Sequence, residues 1–150
     1  MADLQWKKKY AVGVASIDDE HQEMFAAVRA LEAAMNRKAD AAEMGELLKT
    51  LAAATVRHFA DEEAVMREAK YPGIGLHAAN HQRLLEKIDA FVARHVQNTA
   101  ALNVHALNFL RDWLVIHVEN DDARLGEWLK DRAREQAPDP KKAPALDRSA

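Results

Sequence analysis

Cysteine is absent from the 150-residue chain, which excludes disulfides, zinc–thiolate sites and iron–sulfur clusters. Glycine and proline are scarce, five and four residues respectively, and Pro138, Pro140 and Pro144 crowd the C-terminal end. Little is therefore left to interrupt helices over the first nine-tenths of the chain. No apolar run approaches the roughly 18 residues of a membrane helix. A signal peptide is not expected either, since the apolar stretch after Lys9 is short and ends in Asp18-Asp19-Glu20. Strong positive charge is missing too. With 21 basic and 24 acidic residues the formal net charge is −3, and no basic block exceeds Lys7-Lys8-Lys9. Nothing in that pattern suggests a nucleic-acid surface. The expectation is a single all-α domain, soluble, monomeric and cytoplasmic, with neither nucleic acid nor membrane as a partner.

What is present is helical periodicity. Residues 1 to about 16 form an N-terminal arm whose Trp6 and Tyr10 pack over one end of the core. Ser16 or Asp18 is expected to cap a first helix with the stripe Ile17, His21, Met24, Phe25, Val28, Leu31 and Met35. Asp40 and Glu43 form a capping box for a long second helix, which runs to about Lys70 before Tyr71-Pro72-Gly73-Ile74-Gly75 ends it. Its stripe is Met44, Leu47, Leu48, Leu51, Thr55, His58, Phe59, Glu62 and Met66. The third helix aligns His77, His81, Leu84, Leu85, Ile88, Phe91, Val92 and Val96. After a polar link around residues 97–99, the fourth aligns Ala106, Leu107, Leu110, Trp113, Leu114, His117, Val118, Leu125 and Trp128. Four helices with short links predict an antiparallel up-down four-helix bundle over residues 1–134. Residues 135–150 lack an apolar stripe and read as a disordered C-terminal tail.

The stripes carry residues that packing alone does not explain. His58 and Glu62 are one helical turn apart on an apolar face. Taken alone, the pair could be a hydrogen bond in a bundle core. Yet His21, His77, His81 and His117 also stand where leucines are expected, and His117 is followed by Asp121 and Asp122. Burying such groups without partners costs several kcal/mol, about 2–7 each, and imidazole with carboxylate suits first-row divalent cations. Five imidazoles with Glu62 and an aspartate exceed what one ion needs, whereas two ions sharing bridging carboxylates use all seven. The Glu-x-x-His repeats of ferritin-like di-iron bundles are absent, as is the His-Glu-x-x-His zinc-protease helix. His95 and His105 fall outside the constellation and are read as surface residues.

Its segments resemble the hemerythrin family, specifically the single-domain bacterial type. The resemblance rests on Trp6, Gly13 and Ile17-Asp18-Asp19-Glu20-His21; on His58-Phe59-Ala60-Asp61-Glu62-Glu63 with Met66; on Tyr71-Pro72 and His77-Ala78-Ala79-Asn80-His81; and on Trp113-Leu114-Val115-Ile116-His117-Val118 leading to Asp122. It spans residues 6 to about 129. The resemblance implies two non-haem iron ions with an oxo or hydroxo bridge. One iron would be held by His77, His81 and His117, the other by His21 and His58, with Glu62 and Asp122 bridging. It further implies an open position on the two-histidine iron, where O2 binds end-on and reversibly, in a pocket lined by Met24, Phe59, Trp113, Leu114 and Val118. Helix geometry by itself favours Asp121, because four residues turn about 400° and five about 500°. A locally widened turn would bring Asp122 inward, and Asp122 continues the Leu114–Val118 row. The chain departs from the family pattern at Leu125, where tyrosine is common, which bears on oxygen affinity and autoxidation.

Reversible oxygen binding, for storage, delivery or sensing, is the function this pattern implies, and no enzymatic residue stands out beyond the ligands. The competing reading is a di-iron redox enzyme acting on peroxide, nitric oxide or another small substrate. A sensing role would need a separate redox or signalling protein, because no signalling domain accompanies the bundle.

Overall fold

The structure, a computed structural model, describes residues 4–97 and 103–137. Among these, helices α1 (Ala15–Asn36), α2 (Ala41–Ala69), α3 (Ile74–Gln97) and α4 (Val104–His117) follow one another, and no strand occurs. A π-helical turn, Val118–Asp122, joins α4 without interruption to α5 (Ala123–Gln136). With α4 and α5 as one rod, these are the four rods of the antiparallel bundle that the spacing predicts. The expected link around 97–99 lies outside the described residues apart from Gln97. The expected tail lies outside them from residue 138, and α5 itself continues to Gln136.

Helix ends follow local chemistry, with one correction. Neither Ser16 nor Asp18 caps α1: the N-cap is Val14, and no side chain bonds there. Asp18 instead turns back on the arm, accepting hydrogen bonds from the backbone N–H groups of Val12 (2.8 Å) and Gly13 (3.2 Å). Its carboxylate is one turn inside the helix, within reach of the incoming chain rather than of the first N–H groups. Asp40 does cap α2, accepting from Glu43 N–H at 2.9 Å. The reciprocal half of the capping box is replaced, because the Glu43 carboxylate pairs with Arg37. Lys70, left-handed at φ 57°, ends α2, and Tyr71 N–H returns to Met66 C=O. Asn103 caps α4 by accepting from Ala106 N–H.

The predicted stripes face inward. Met24, Phe25, Val28 and Leu31 of α1 are buried against Leu48, Leu51 and Phe59 of α2, Leu84 and Ile88 of α3, and Leu107, Leu110 and Leu114 of α4, and Ile17 is buried too. Burying each such side chain is worth about 1.5–3 kcal/mol, which fixes the rotation of each rod. Met35, Leu47, Leu85, Val92 and Trp113 are only partly covered. Val96 departs from its stripe, 73% exposed near the end of α3. Thr55, fully buried, satisfies its hydroxyl on Leu51 C=O one turn back.

His95 also differs from expectation. It is 8% exposed, and its Nε2 hydrogen-bonds Ala41 C=O at 2.9 Å. The ring lies over Gly45, where a Cβ would meet it at 3.2 Å. A glycine on the neighbouring helix opened this place, which the apolar stripe of α3 did not advertise. His105 is exposed as expected.

The arm closes one end of the bundle. Tyr10 and Trp6 meet Phe25 at centroid distances of 5.1 and 5.4 Å. Arg29 donates to Leu4 C=O, and Lys9 pairs with Glu119 on the π turn. Val12 lies so close to Gly126 of α5 that a Cβ there would come within 2.7 Å of Val12 O. Only glycine at 126 permits this approach.

Candidate metal centre

Each rod delivers its ligand-type side chains at the same height in the bundle. His21 comes from α1, His58 and Glu62 from α2, His77 and His81 from α3, His117 from the end of α4 and Asp122 from the π turn. All seven are 5% exposed or less. Their donor atoms form two overlapping groups, each with all atoms within 4.8 Å of one another: Glu62, His77, His81, His117 and Asp122; and His21, His58, Glu62 and Asp122. Glu62 and Asp122 belong to both.

The two oxygens of each carboxylate are divided between the groups. Glu62 Oε1 faces His77 Nε2 (2.7 Å) and His81 Nε2 (3.1 Å), while Oε2 faces His58 Nε2 (3.2 Å) and His21 Nε2 (3.7 Å). Asp122 Oδ1 faces His77 Nε2 (2.9 Å) and His117 Nε2 (3.1 Å), while Oδ2 faces His21 Nε2 (3.0 Å). Despite these distances, Glu62 Oε1 and Oε2, Asp122 Oδ1 and Oδ2, and Nε2 of His21, His58 and His77 have no hydrogen-bond partner. The approaches are short but not along hydrogen-bonding directions. His81 and His117 even bring two Nε2 atoms within 3.1 Å of each other, an arrangement in which at least one nitrogen presents a lone pair to the other. So many orphaned buried groups are costly in a core; lone pairs converging on two common points are what a pair of cations would satisfy.

The outer edges of three imidazoles are held by carboxylates. His58 Nδ1 meets Glu20 Oε1 at 3.3 Å, His81 Nδ1 meets Glu63 Oε1 at 3.2 Å, and His117 Nδ1 meets Asp121 Oδ2 at 2.9 Å. An N–H on Nδ1 donating outward leaves the Nε2 lone pair pointing inward, so these partners fix the tautomer and the ring orientation. Asp121 is braced in turn by Asn80 Nδ2 (2.9 Å) and Arg124 Nη2 (2.6 Å). Glu20, Glu63 and Asn80 were missed in the sequence, where acidic side chains beyond the bridging pair had no assigned role. Their only signal is adjacency: Glu20 precedes His21, Glu63 follows Glu62, and Asn80 precedes His81. A neighbour 100° around a helix reads as a solvated charge until the next rod is in place.

The π turn sets the two aspartates apart. One extra residue in the turn after His117 swings Asp122 to the interior, fully buried, and leaves Asp121 beside the outer edge of His117. The widened turn expected from sequence is thus present. Leu125 is fully buried one turn later.

With only protons to share, the cluster is strongly polarised. Burial pushes the His21 and His77 imidazoles down, but Asp122 and Glu62 more than reverse this and raise both to about 9. His81 is lowered, chiefly by burial with help from His117 and His77, against the pull of Glu62. Burial opposes ionisation of Glu62, yet the four imidazoles around it hold its carboxyl well below the usual range. Burial and the Glu62 charge act likewise on Asp122 and are likewise outweighed, here by His117 and His21. Asp121 is lowered to about 2, mainly by its hydrogen bond with His117. Carboxylates kept ionised beside convergent imidazoles suit a cation in electrostatics as well as in geometry.

Aromatic rings pack on two of the cluster's imidazoles, in a core that is otherwise apolar. Met24, Phe59, Leu114 and Val118 are buried. Phe59 stacks on His81, with centroids 3.7 Å apart and 4° between planes, and Trp113, partly exposed, stacks on His117.

Comparison with known proteins agrees with this arrangement. The chain is 32% identical over 117 residues to a myohemerythrin of Riftia pachyptila, covering 78% of this chain and 86% of that one. It is 28% identical over 141 residues to a bacteriohemerythrin of Pseudomonas paraeruginosa, covering 89% and 91%. A crystal structure of wild-type hemerythrin superposes with a TM-score of 0.77 at 27% identity, over 82% of this chain and 95% of that one. The profile of the hemerythrin HHE cation binding domain matches residues 12–129, which takes in all seven inward-facing residues, and the chain belongs to the hemerythrin family.

Proposed function

We propose that this chain binds dioxygen reversibly at a non-haem di-iron centre. The observation that carries the reading is the division of each carboxylate between two groups of histidines. His77, His81 and His117 would hold one iron and His21 and His58 the other, with Glu62 and Asp122 bridging. The two-histidine side then has one protein donor fewer, and so the more open coordination. Two ferrous ions there would supply the electrons and the vacant position that reversible dioxygen binding needs.

The chain's own residues do the rest. Glu20, Glu63 and Asp121 keep the Nδ1–H of three imidazoles turned outward, so that neutral Nε2 atoms face the cluster. The two ionised carboxylates offset much of the cations' charge inside a low-dielectric core. Met24, Phe59, Leu114 and Val118, all buried, would keep water from the ligand, which favours its release unaltered over side reactions. Among the described residues, the buried titratable side chains beyond the ligands are Tyr10, His95 and Arg111; His95 bonds Ala41 C=O and Arg111 pairs with Glu32, and this favours binding over turnover.

The test is visible absorbance of the iron-loaded, reduced protein through repeated cycles of air and deoxygenation, with iron measured per chain. Reversible colour at about two irons per chain is expected. A one-way change accompanied by peroxide consumption would replace this reading with that of a di-iron redox enzyme.

A further inference from the structure

The three carboxylates on the outer edges of the imidazoles are not equivalent. Glu63 has His81 Nδ1, at 3.2 Å, as its one partner among the described residues. Glu20 lies 3.3 Å from His58 Nδ1, while the guanidinium of Arg57 stays 3.8 Å from its other oxygen and is engaged by Glu23. Asp121 is different, because both of its oxygens are taken. Oδ2 lies 2.9 Å from His117 Nδ1 and accepts a hydrogen bond from Asn80 Nδ2, also at 2.9 Å. Oδ1 accepts from Arg124 Nη2 at 2.6 Å. The braces are themselves held. Asn80 Oδ1 accepts from Arg83 Nη1 at 3.3 Å, which turns the amide N–H groups toward Asp121. Arg124 Nε donates to Asn120 C=O at 3.4 Å.

We propose, on the di-iron reading above, that Asn80 and Arg124 are positioning residues that act through Asp121 to favour the ferrous state of the iron on His117. A carboxylate that already accepts from a guanidinium and an amide has less charge to offer the imidazole beside it. An imidazole whose outer N–H meets a weaker acceptor is a weaker electron donor at its inner nitrogen. Iron held by that nitrogen is then easier to keep ferrous, the form that binds dioxygen. Either brace can be removed without releasing Asp121, which keeps two of its three partners. What changes is the charge left on the carboxylate rather than its place. The effect of Arg124 is modest, since its side chain is exposed to water.

The test compares midpoint potentials of the iron-loaded parent, Arg124→Gln, Asn80→Ala and Asp121→Ala, read from visible absorbance during a reductive titration, with iron measured per chain. Arg124→Gln and Asn80→Ala should each shift the balance about threefold toward the ferric form, a fall of about 30 mV for a one-electron step. Asp121→Ala removes the negative charge itself and should move the potential the other way. Opposite signs identify charge passed through Asp121, whereas mere loosening of the packing would move all three variants in one direction. Arg124 is exposed and alanine suits the interior of a helix, so both brace variants are expected to fold. Should Asn80→Ala lose iron, Arg124→Gln carries the test. An unchanged potential in either iron-replete brace variant, or a shift of the same sign as in Asp121→Ala, would overturn the proposal and leave the di-iron reading standing. A parent protein that takes up no iron would overturn that reading and the proposal with it.

Discussion

Asp121 and Asp122 are neighbours in the chain, yet their carboxylates face opposite edges of one imidazole. Asp121 meets His117 Nδ1 at 2.9 Å from outside, and Asp122 meets Nε2 at 3.1 Å from inside. The π turn makes this possible by giving the two residues opposite sides of the same ring. Asp122→Ala is therefore expected to abolish stoichiometric iron binding. Asp121→Ala should retain both irons at an affinity about 10–100-fold lower, the usual cost of losing a partner that orients a ligand. Competition with a chelator, together with iron analysis, measures both. Loss of iron in Asp121→Ala alone would reverse the assignment.

Metal removal should make stability strongly pH-dependent. In the metal-free protein His21 and His77 are raised to about 9, from an ordinary value of 6.5. Between these values the folded form holds more protons than the unfolded form. Their contribution is therefore complete below pH 6.5 and lost as pH rises through about 9. The melting temperature of the metal-free protein should fall across that window. The loaded protein should melt higher and vary less, because cations take the place of the protons. Equal melting curves with and without iron at pH 9 would contradict the site.

Gly126 holds the arm against α5, and a methyl group there would lie 2.7 Å from Val12 O. Gly126→Ala should destabilise the fold by about 1–3 kcal/mol, the range for overpacking a tight contact. Gly75→Ala is the control, since a Cβ there meets nothing within 4 Å, and it should be neutral or stabilising by at most ~1 kcal/mol. Urea denaturation of the two variants distinguishes a steric role from a general helix-propensity effect.

Gly45 and His95 should be energetically coupled. A Cβ at position 45 would press on His95 at 3.2 and 3.3 Å. Gly45→Ala is thus expected to destabilise the native protein, although alanine favours a helix interior by about 1 kcal/mol. In a His95→Ala background the same change should become stabilising. A double-mutant cycle by chemical denaturation reads the sign change, and additive effects would show that the two residues do not share this space.

Much of this molecule follows from periodicity alone. Apolar residues at helical spacing define the four rods, and His21, His58, Glu62, His77, His81 and His117 are conspicuous because each occupies a place on an apolar stripe. The short link between α2 and α3 and the breakers at Tyr71-Pro72-Gly73 are equally legible, being set by local backbone preferences. Other features depend on what stands across from a residue. Glu20 and Glu63 differ from ordinary surface acids only because His58 and His81 arrive from the next helix. His95 is buried because Gly45 on α2 leaves room for its ring, and Asp18 serves the arm rather than its own helix because the arm folds back over it. Asp122 lies between these cases. Its row on α4 is written in the sequence, but the widened turn that carries it inward is a departure from regular helix, which periodicity can allow and only tertiary packing selects. Intrahelical spacing is encoded locally by 3.6 residues per turn, whereas register between rods is set by the mutual packing of all four.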